Sequence, residues 1–184
     1  SKSIRLKAEK VIKSSKLNWT IIRPTMIYGS PRDRNLIKLI IWLNKFPLLP
    51  IFGDGNKFMQ PVHVKDLAWS IVEVLNRENS YSQIYNISGK EKISFNKLVN
   101  TIEKILNKKI YKIYLSWRFF YFLFKWIEII GFKMPIKSEQ ILRLNEHKDF
   151  NHSKAKKDFN YNPRDFETGI IEEIEIYKNN LGSI

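Results

Sequence analysis

Three histidines and one glycine pair are the residues whose types most readily suggest chemistry. His63, His147 and His152 could carry protons or bind metal, but they lack ligand spacing with acidic residues on one helix face. We therefore interpret them as surface or locally hydrogen-bonded imidazoles. Gly53-Asp-Gly55 continues as Asn-Lys-Phe58, so it is not a G-x-G-x-x-G phosphate loop. The sequence also contains no Walker sequence, H-E-x-x-H or G-x-S-x-G.

The composition narrows the classes of function further. The chain has 184 residues, a formal net charge of +14 and no cysteine. It therefore has no disulfide framework, thiolate zinc site, iron–sulfur cluster or cysteine nucleophile, and we expect a cytoplasmic location. The charge favours anionic partners such as phosphates, nucleic acid or acidic lipid. Because no block of five like charges occurs, we interpret the charge as a background property rather than a specific site.

Apolar periodicity predicts the elements that would position a site. Strands are predicted at 17–24, 49–52, 83–88 and 110–115, with the first of them buried in a parallel sheet. Helices are predicted at 4–12, 36–43, 64–75, 95–106, 117–130, 138–146 and 165–178. Ser94 and Ser138 are expected to cap helices, and Asp66 to bond backbone amides at a helix start. This alternation indicates an α/β architecture.

Four ordered segments carry a family resemblance: Trp19-Thr-Ile-Ile-Arg-Pro-Thr-Met-Ile-Tyr-Gly29, Leu49-Pro-Ile-Phe-Gly-Asp-Gly55, Gln60-Pro-Val-His-Val-Lys-Asp-Leu-Ala68 and Ile84-Tyr-Asn-Ile-Ser-Gly89. Their order and spacing resemble the C-terminal half of the NAD-dependent epimerase/dehydratase family, the extended and atypical short-chain dehydrogenase/reductases. The family patterns are approximately R-P-x-x-[VI]-Y-G, P-x-x-G-x-G, V-x-D-x-A and Y-N-I-x-G. The resemblance covers residues 4–110 well and the rest loosely.

The resemblance implies a single fragment, 1–184, of a Rossmann-type fold. Residues 1–90 would hold the last Rossmann strands and helices, interleaved with substrate-loop segments. Residues 91–184 would form a small, mostly helical substrate-binding subdomain with C-terminal helices. The glycine-rich dinucleotide loop of the family is missing, so we expect a truncated chain.

The resemblance also assigns site residues. NAD or NADP would meet the residues at the end of the first strand and just after it, where ligands of parallel sheets bind. These residues are Arg23, Pro24, Thr25, Met26 and Ile27. An anionic substrate such as a nucleotide-sugar would meet Tyr28 and the loop and helix that follow it, through Arg32, Arg34 and Asn35, because an arginine fork suits a diphosphate. Gln60, which precedes the V-x-D segment, is a further candidate for substrate contact. Two alternatives stay open, since Pro24 can simply end a strand and the arginines can be solvated loop charges.

Two departures from the family concern catalysis. The family transfers protons with a Tyr-x-x-x-Lys pair. One register puts Ser1 and Arg5 at those places, and another puts Ser3 and Lys7 there. Arg5 and Lys7 are thus the only catalytic candidates, and neither register contains tyrosine. Gln60 stands where nucleotide-sugar members often carry a phosphate-gripping arginine.

Residues 115–130 form an unusually aromatic segment, interrupted by Arg118, Lys125 and Glu128. Its longest charge-free run, Phe119 to Phe124, is far shorter than the roughly 20 residues that span a membrane. The helix is interpreted as buried in the substrate subdomain or in a homodimer interface. The alternatives are an interfacial membrane helix and a lid over an apolar substrate.

Three functions follow from these observations. The first is an NAD(P)-dependent epimerase, dehydratase or reductase that acts on a nucleotide-sugar or related anionic metabolite. The second is a non-catalytic relative that binds cofactor or assists assembly, suggested by the missing tyrosine. The third is a basic module that binds nucleic acid or a membrane surface. The sequence lacks helix-turn-helix and aromatic RNA-binding signatures, so we expect no nucleic-acid partner.

Overall fold

A computed structural model describes residues 2–30, 33, 35–130 and 138–181. The helices in this part of the chain are α1 Lys2–Ser14, α2 Leu36–Lys45, α3 Val64–Leu75, α4 Phe95–Leu106, α5 Trp117–Ile129, α6 Ser138–Leu144, α7 Ser153–Phe159 and α8 Phe166–Leu181. The strands are β1 Thr20–Pro24, β2 Ile27–Tyr28, β3 Leu48–Phe52, β4 Phe58–Met59, β5 Val62–His63, β6 Gln83–Ile87, β7 Ile93–Ser94 and β8 Tyr111–Leu115.

The described strands form four two-stranded pairs, and three of these pairs are parallel. β1 pairs with β6, β2 with β5 and β3 with β8, each in parallel, whereas β4 and β7 are antiparallel. In the β1–β6 pair, Arg23 lies opposite Asn86 and Pro24 opposite Ile87. Helices separate the parallel partners along the chain, as parallel connections require. The α/β architecture is therefore confirmed.

The elements with a clear apolar period were predicted well. α3 has the predicted bounds, and Ser94 caps α4 by accepting a hydrogen bond from the Lys97 amide. α7 was missed, because its seven residues offer only Ala155 and Phe159 as buried apolar positions. The two-residue strands were also missed, since such short strands depend on distant partners rather than on local pattern.

Three local expectations are corrected by the structure. β1 is only half-buried, with Ile21 its one buried residue, because a single strand pairs with it among the described residues. Ser138 was expected to cap α6, but it is the first residue of that helix, and its amide and hydroxyl both donate to the Glu128 carboxylate at 2.8 Å. Asp66 instead accepts hydrogen bonds from the amide and guanidinium of Arg164, at 3.0 and 3.1 Å.

Two clusters of buried side chains hold these elements together. The larger joins β2, α2, β3, α4 and α8 around Tyr28, Ile40 and Ile170. The smaller joins β5, β6 and α7 around Tyr85, Phe159 and Tyr161. Both clusters draw residues from before and after residue 90, so the proposed boundary at that position remains a prediction.

Candidate functional site

A cleft of about 840 Å³ opens between α1 and the carboxyl end of β1. One wall belongs to α1 and consists of Arg5, Ala8, Glu9 and Ile12. The opposite wall belongs to β1, the residue that follows it and β6, and consists of Ile22, Arg23, Pro24, Thr25 and Asn86. Phe150 also lines the cleft. The amphipathic period of α1 explains the first wall, because residues three or four apart share a helix face. The cleft therefore lies where ligands of parallel α/β sheets bind.

An ion pair fastens α1 to β1 inside this cleft. Arg23 Nε donates to Glu9 Oε1 at 2.8 Å, and Arg23 Nη2 donates to Glu9 Oε2. The hydrogen bond from Arg23 lowers the pKa of Glu9, and the same bond raises the pKa of Arg23. Both groups are therefore charged at neutral pH, and the forked geometry fixes the orientation of the guanidinium.

The residues after Arg23 are held by backbone contacts. The Thr25 amide donates to the Ile87 carbonyl at 3.0 Å, and the Thr25 hydroxyl donates to the Gln60 carbonyl. The Met26 carbonyl accepts from the Val62 amide at 2.9 Å. Met26 packs against the larger core cluster and Ile27 against the smaller one. Of the five residues predicted to meet the cofactor, Arg23, Pro24 and Thr25 thus line the cleft.

The structure separates the two candidate registers for the catalytic pair. Arg5 lines the cleft, whereas Lys7 is exposed on α1 outside its described lining. Ser1 lies outside the described residues. The helix period causes this separation, because positions two apart point to nearly opposite sides. Of the two catalytic candidates, Arg5 is thus the one that lies at the cleft, and the choice of register stays a prediction.

Tyr28, predicted to bind substrate, lies in the protein core. It is 1% exposed and packs edge-on against His63, with ring centroids 5.2 Å apart. Its hydroxyl faces Gly169 so closely that an added Cβ there would lie 2.1 Å away. Burial raises the pKa of Tyr28 far above its usual range. Its phenol is therefore neutral and packed against α8.

Gln60, also predicted to bind substrate, is buried and bridges two segments. Its amide Nε2 donates to the Gly89 carbonyl at 2.8 Å, and its Oε1 accepts from the Phe150 amide at 3.0 Å. Both ends of the side chain are thus used within the protein. Because Phe150 forms a wall of the cleft, Gln60 positions that wall.

We expect Gln60→Leu to lower the free energy of unfolding by about 2 kcal/mol, because it leaves a buried carbonyl and amide without partners. Gln60→Glu should keep the acceptor for the Phe150 amide and lose only the donor to Gly89. Urea denaturation followed by tryptophan fluorescence measures both changes. A Gln60→Leu protein as stable as the wild type would contradict the assigned bridge.

The remaining predicted substrate residues lie at the start of α2. Asn35 is exposed, and its amide donates to Asp33 Oδ1 at 2.9 Å. Asp33 also accepts from the Ile37 amide at 3.0 Å, so Asp33 rather than Asn35 supplies the side-chain cap of this helix. Arg32 and Arg34 lie outside the described residues.

Six residues that line the cleft were not predicted as site residues, among them Glu9, Asn86 and Phe150. Asn86 belongs to the Tyr-Asn-Ile segment and lies opposite Arg23 in the sheet, so that segment offered a signal. Glu9 is predictable only once α1 is known to cross β1. No sequence signal points to Phe150, because the Gln60 amide places it from 90 positions away.

A second, apolar cavity of about 310 Å³ lies beside Met59. Its lining includes Ile51, Phe52, Met59, Phe95 and Leu144, with Lys57 as a cation at its wall. Side chains hold the Gly53-Asp-Gly55 turn beside it: an added Cβ on Gly53 would meet Asn145 Oδ1 at 2.3 Å, and one on Gly55 would meet Asn96 Oδ1 at 2.4 Å. The turn therefore needs glycine for close packing.

Each histidine has a hydrogen-bonding partner, but only the partner of His63 is local in the sequence. His147 Nδ1 accepts from the Phe58 amide, His152 Nδ1 lies 2.8 Å from the Ser88 hydroxyl, and His63 Nδ1 accepts from the Lys65 amide at 3.3 Å. His63 differs from the expected surface imidazole, because it is 1% exposed. Within the described ranges, no three histidine or acidic residues are grouped closely enough to hold a metal.

No family model matches the sequence, but curated proteins do. The Chloroplast stem-loop binding protein of 41 kDa b of Arabidopsis thaliana is 34% identical over 102 residues, which is 54% of this chain and 27% of that protein. The UDP-glucuronate 4-epimerase of Thermodesulfobacterium geofontis is 24% identical over 71% of this chain and 41% of its own length. An undecaprenol-linked N-acetylglucosamine 4-epimerase of Escherichia coli O157:H7 is 30% identical over 53% and 29%.

Solved structures match over nearly the whole chain. The UDP-glucuronic acid 4-epimerase of Bacillus cereus, bound to UDP-glucuronic acid and NAD, has a TM-score of 0.69 at 21% identity, covering 93% of this chain and 48% of that protein. The dTDP-glucose 4,6-dehydratase of Bacillus anthracis, bound to NAD, has a TM-score of 0.68 at 23% identity, covering 96% and 50%. The chain thus spans about half the length of these proteins and shares the fold of that half.

Proposed function

We propose that this chain is a member of the NAD-dependent epimerase/dehydratase family. It would form one wall of a nicotinamide-dinucleotide site in an enzyme that acts on a nucleotide-sugar or related anionic metabolite. The observation that carries the proposal is the cleft at the carboxyl end of β1, which gathers Arg5, Arg23, Pro24 and Thr25. Relatives with the same fold are bound to NAD.

The cleft residues fit a dinucleotide in their chemistry. Ala8, Ile12 and Ile22 offer apolar contact to an aromatic ring, whereas Thr25 and Asn86 offer polar groups and Arg5 offers a cation. When bound, NAD would accept and return a hydride. The residues Arg23, Pro24 and Thr25 would orient the ring along the strand end, and the Glu9–Arg23 ion pair would keep α1 against it. Because the chain has no glycine-rich loop, the residues present account for one side of the cofactor only.

Proton transfer is not assigned to any residue of this cleft. Arginine stays protonated in proteins, so Arg5 cannot act as the acid or base. It can bind a phosphate or stabilise a developing negative charge by a charged hydrogen bond. On the substrate side, Asn35, Arg32 and Arg34 remain the proposed contacts, and Gln60 would act through Phe150.

Titration with NADH, followed by nicotinamide fluorescence, tests the proposal. We expect saturable binding, and Arg5→Gln should weaken it by about fivefold, because the variant loses one charged hydrogen bond to a phosphate. Lys7→Gln is the matched control, since it removes one charge from the same helix outside the cleft. Absence of saturation at millimolar dinucleotide, or equal weakening by both variants, would reject the proposed site.

A second candidate function is binding of a nucleic-acid stem-loop. It is favoured by the 34% identity to the chloroplast stem-loop binding protein and by the net charge of +14. Binding of this kind should weaken by at least about tenfold between 50 and 200 mM salt, because the phosphate contacts release counterions. A labelled hairpin RNA in a mobility-shift titration at both salt concentrations distinguishes this function from dinucleotide binding.

A further inference from the structure

The outer face of α5 carries an exposed apolar stripe. We define the α5 stripe as the five residues that form it: Phe119, Phe122, Trp126, Ile129 and Ile130. Their side chains are 59–72% exposed, and no residue of α5 is buried. Their positions fall within about 100° of the helix circumference. The expectation that this helix is buried within the substrate subdomain is therefore not met in the described part of the chain.

The opposite face of α5 is fixed to the rest of the protein. Phe120 and Phe124 pack edge-on against Phe52 at the end of β3, with ring centroids 5.5 and 6.4 Å apart. Glu128 accepts the hydrogen bonds from Ser138 that hold α6 against α5. These contacts hold the face opposite the stripe against β3 and α6. The stripe therefore faces away from the described part of the chain.

Two cations border the stripe on one side. Arg118 and Lys125 are exposed, and on a helical projection they fall within about 40° of its edge. Each lies over an aromatic ring of its own helix, Arg118 over Trp117 at 5.5 Å and Lys125 over Tyr121 at 5.7 Å. Neither forms an ion pair with another residue among those described. Their charge is therefore available to an external anion.

We propose that α5 docks the protein on the surface of a membrane that contains anionic lipid. An aromatic apolar face bordered by arginine and lysine is the pattern of helices that lie in the membrane interface, where the rings enter the headgroup region and the cations meet phosphates. The 13 residues of α5 extend about 20 Å, so the helix lies along the surface. No helix in the described residues is long and apolar enough to span a bilayer.

Charge favours a lipid surface over a second copy of the chain as the occupant of the stripe. Two copies would each bring a net charge of +14, and they would place Arg118 and Lys125 near like charges, which opposes association. An anionic bilayer surface attracts the same charges. The stripe and its border thus complement such a surface in both apolarity and charge.

Vesicle flotation with the full chain tests this proposal. We expect binding to vesicles of phosphatidylcholine and phosphatidylglycerol in a 2:1 ratio to exceed binding to phosphatidylcholine alone by about tenfold. The double variants Phe122→Ser/Trp126→Ser and Arg118→Gln/Lys125→Gln should each lose most of this binding. Val72→Ser/Leu75→Ser is the matched control, because those residues are exposed apolar positions of α3, and it should bind like the wild type.

The other outcomes overturn the proposal. Equal binding to neutral and anionic vesicles, or equal loss in the α3 control, would mean that α5 is not the docking element. Displacement from vesicles by free glycerophosphate would indicate a phosphate site instead of a lipid surface. A dimer in light scattering that Phe122→Ser/Trp126→Ser dissociates, without vesicle binding by the wild type, would assign the stripe to a second copy. Circular dichroism of each variant checks that the fold is retained.

Discussion

Replacing Gly29 by alanine should lower the free energy of unfolding by about 3 kcal/mol, with a fall in melting temperature of roughly 10 °C. Gly29 has a φ of +91°, a backbone conformation that residues other than glycine rarely adopt. A Cβ at this position would lie 2.1 Å from His63 Nε2 and 2.2 Å from its Cδ2. The substitution therefore combines backbone strain with overpacking.

The His63 ring cannot move away to accommodate the new methyl group. It is buried, packs edge-on against Tyr28, and accepts a hydrogen bond from the Lys65 amide as the cap of α3. Its Nε2 has no hydrogen-bond partner among the described residues and lies 3.8 Å from Glu172 Oε2. Displacing the ring would break the cap and disturb the core together.

A double-mutant cycle separates the two costs of the Gly29 substitution. His63→Ala alone should destabilise the protein by leaving a cavity, but in its presence Gly29→Ala should cost only the backbone strain, about 1 kcal/mol. Thermal and urea unfolding of the four proteins measure this coupling. Costs that add independently would contradict the close contact between Gly29 and His63.

The contact between Gly29 and His63 illustrates which structural features can be predicted from the sequence and which cannot. The Tyr28-Gly29 pair was recognised only as part of a family pattern, and the physical reason for the glycine, a positive φ beneath a buried imidazole, requires the structure. The apolar periods of α3 and α4 fix their bounds because burial on one face repeats locally. Likewise, Arg23 and Pro24 end a strand, as predicted, and this is why the cleft lies there.

Contacts between distant residues account for what the sequence could not predict. Asp66 was expected to serve its own helix start, but its partner is Arg164, 98 positions away. Gln60 was expected to face a substrate, but it bridges Gly89 and Phe150. An aspartate or a glutamine can form the same hydrogen bond with a neighbouring residue or with one far along the chain. The fold therefore decides which partner it has. The aromatic composition of α5 was visible, whereas its exposure depends on which face Phe52 covers.

Glu173 should make the protein less stable as the pH rises from about 5 to 8. Glu173 is 0% exposed, and its carboxyl group lies close to the Asp33 carboxylate and the Gly29 amide. Burial raises the pKa of Glu173 to about 8, and the nearby Asp33 carboxylate adds to the rise. The folded protein therefore holds a proton that the unfolded chain releases near its usual pKa. The stabilisation is complete below that pKa and is lost as the pH approaches 8, about 5 kcal/mol in total, of which roughly 3 kcal/mol is lost between pH 5 and 8.

We expect Glu173→Gln to remove this pH dependence, because the amide stays neutral throughout. The variant should match the wild type near pH 5 and exceed its stability by on the order of 3 kcal/mol at pH 8 to 9. Urea denaturation at intervals between pH 5 and 9 measures the difference. Burial lowers the pKa of His63 and of His152. These two groups therefore make the protein more stable as the pH rises toward about 6.5, which is opposite to the effect of Glu173. Comparing the variant with the wild type at each pH isolates the contribution of Glu173.

Glu172→Gln is the matched control, since it is the same substitution at the adjacent position with the opposite electrostatics. Lys65 and Arg164 bond to Glu172 at 2.7 and 2.6 Å, and the hydrogen bond from Lys65 lowers its pKa. Its contribution to stability is present above its unfolded pKa and is lost only under more acidic conditions. Glu172→Gln should therefore lower stability by a constant amount from about pH 7 to 9, without changing the slope there. Below that range it also affects the ionisation of His63, whose Nε2 lies 3.8 Å from Glu172 Oε2. If both variants shift the curve in parallel, Glu173 is already ionised in the folded protein and the proposed buried proton does not exist.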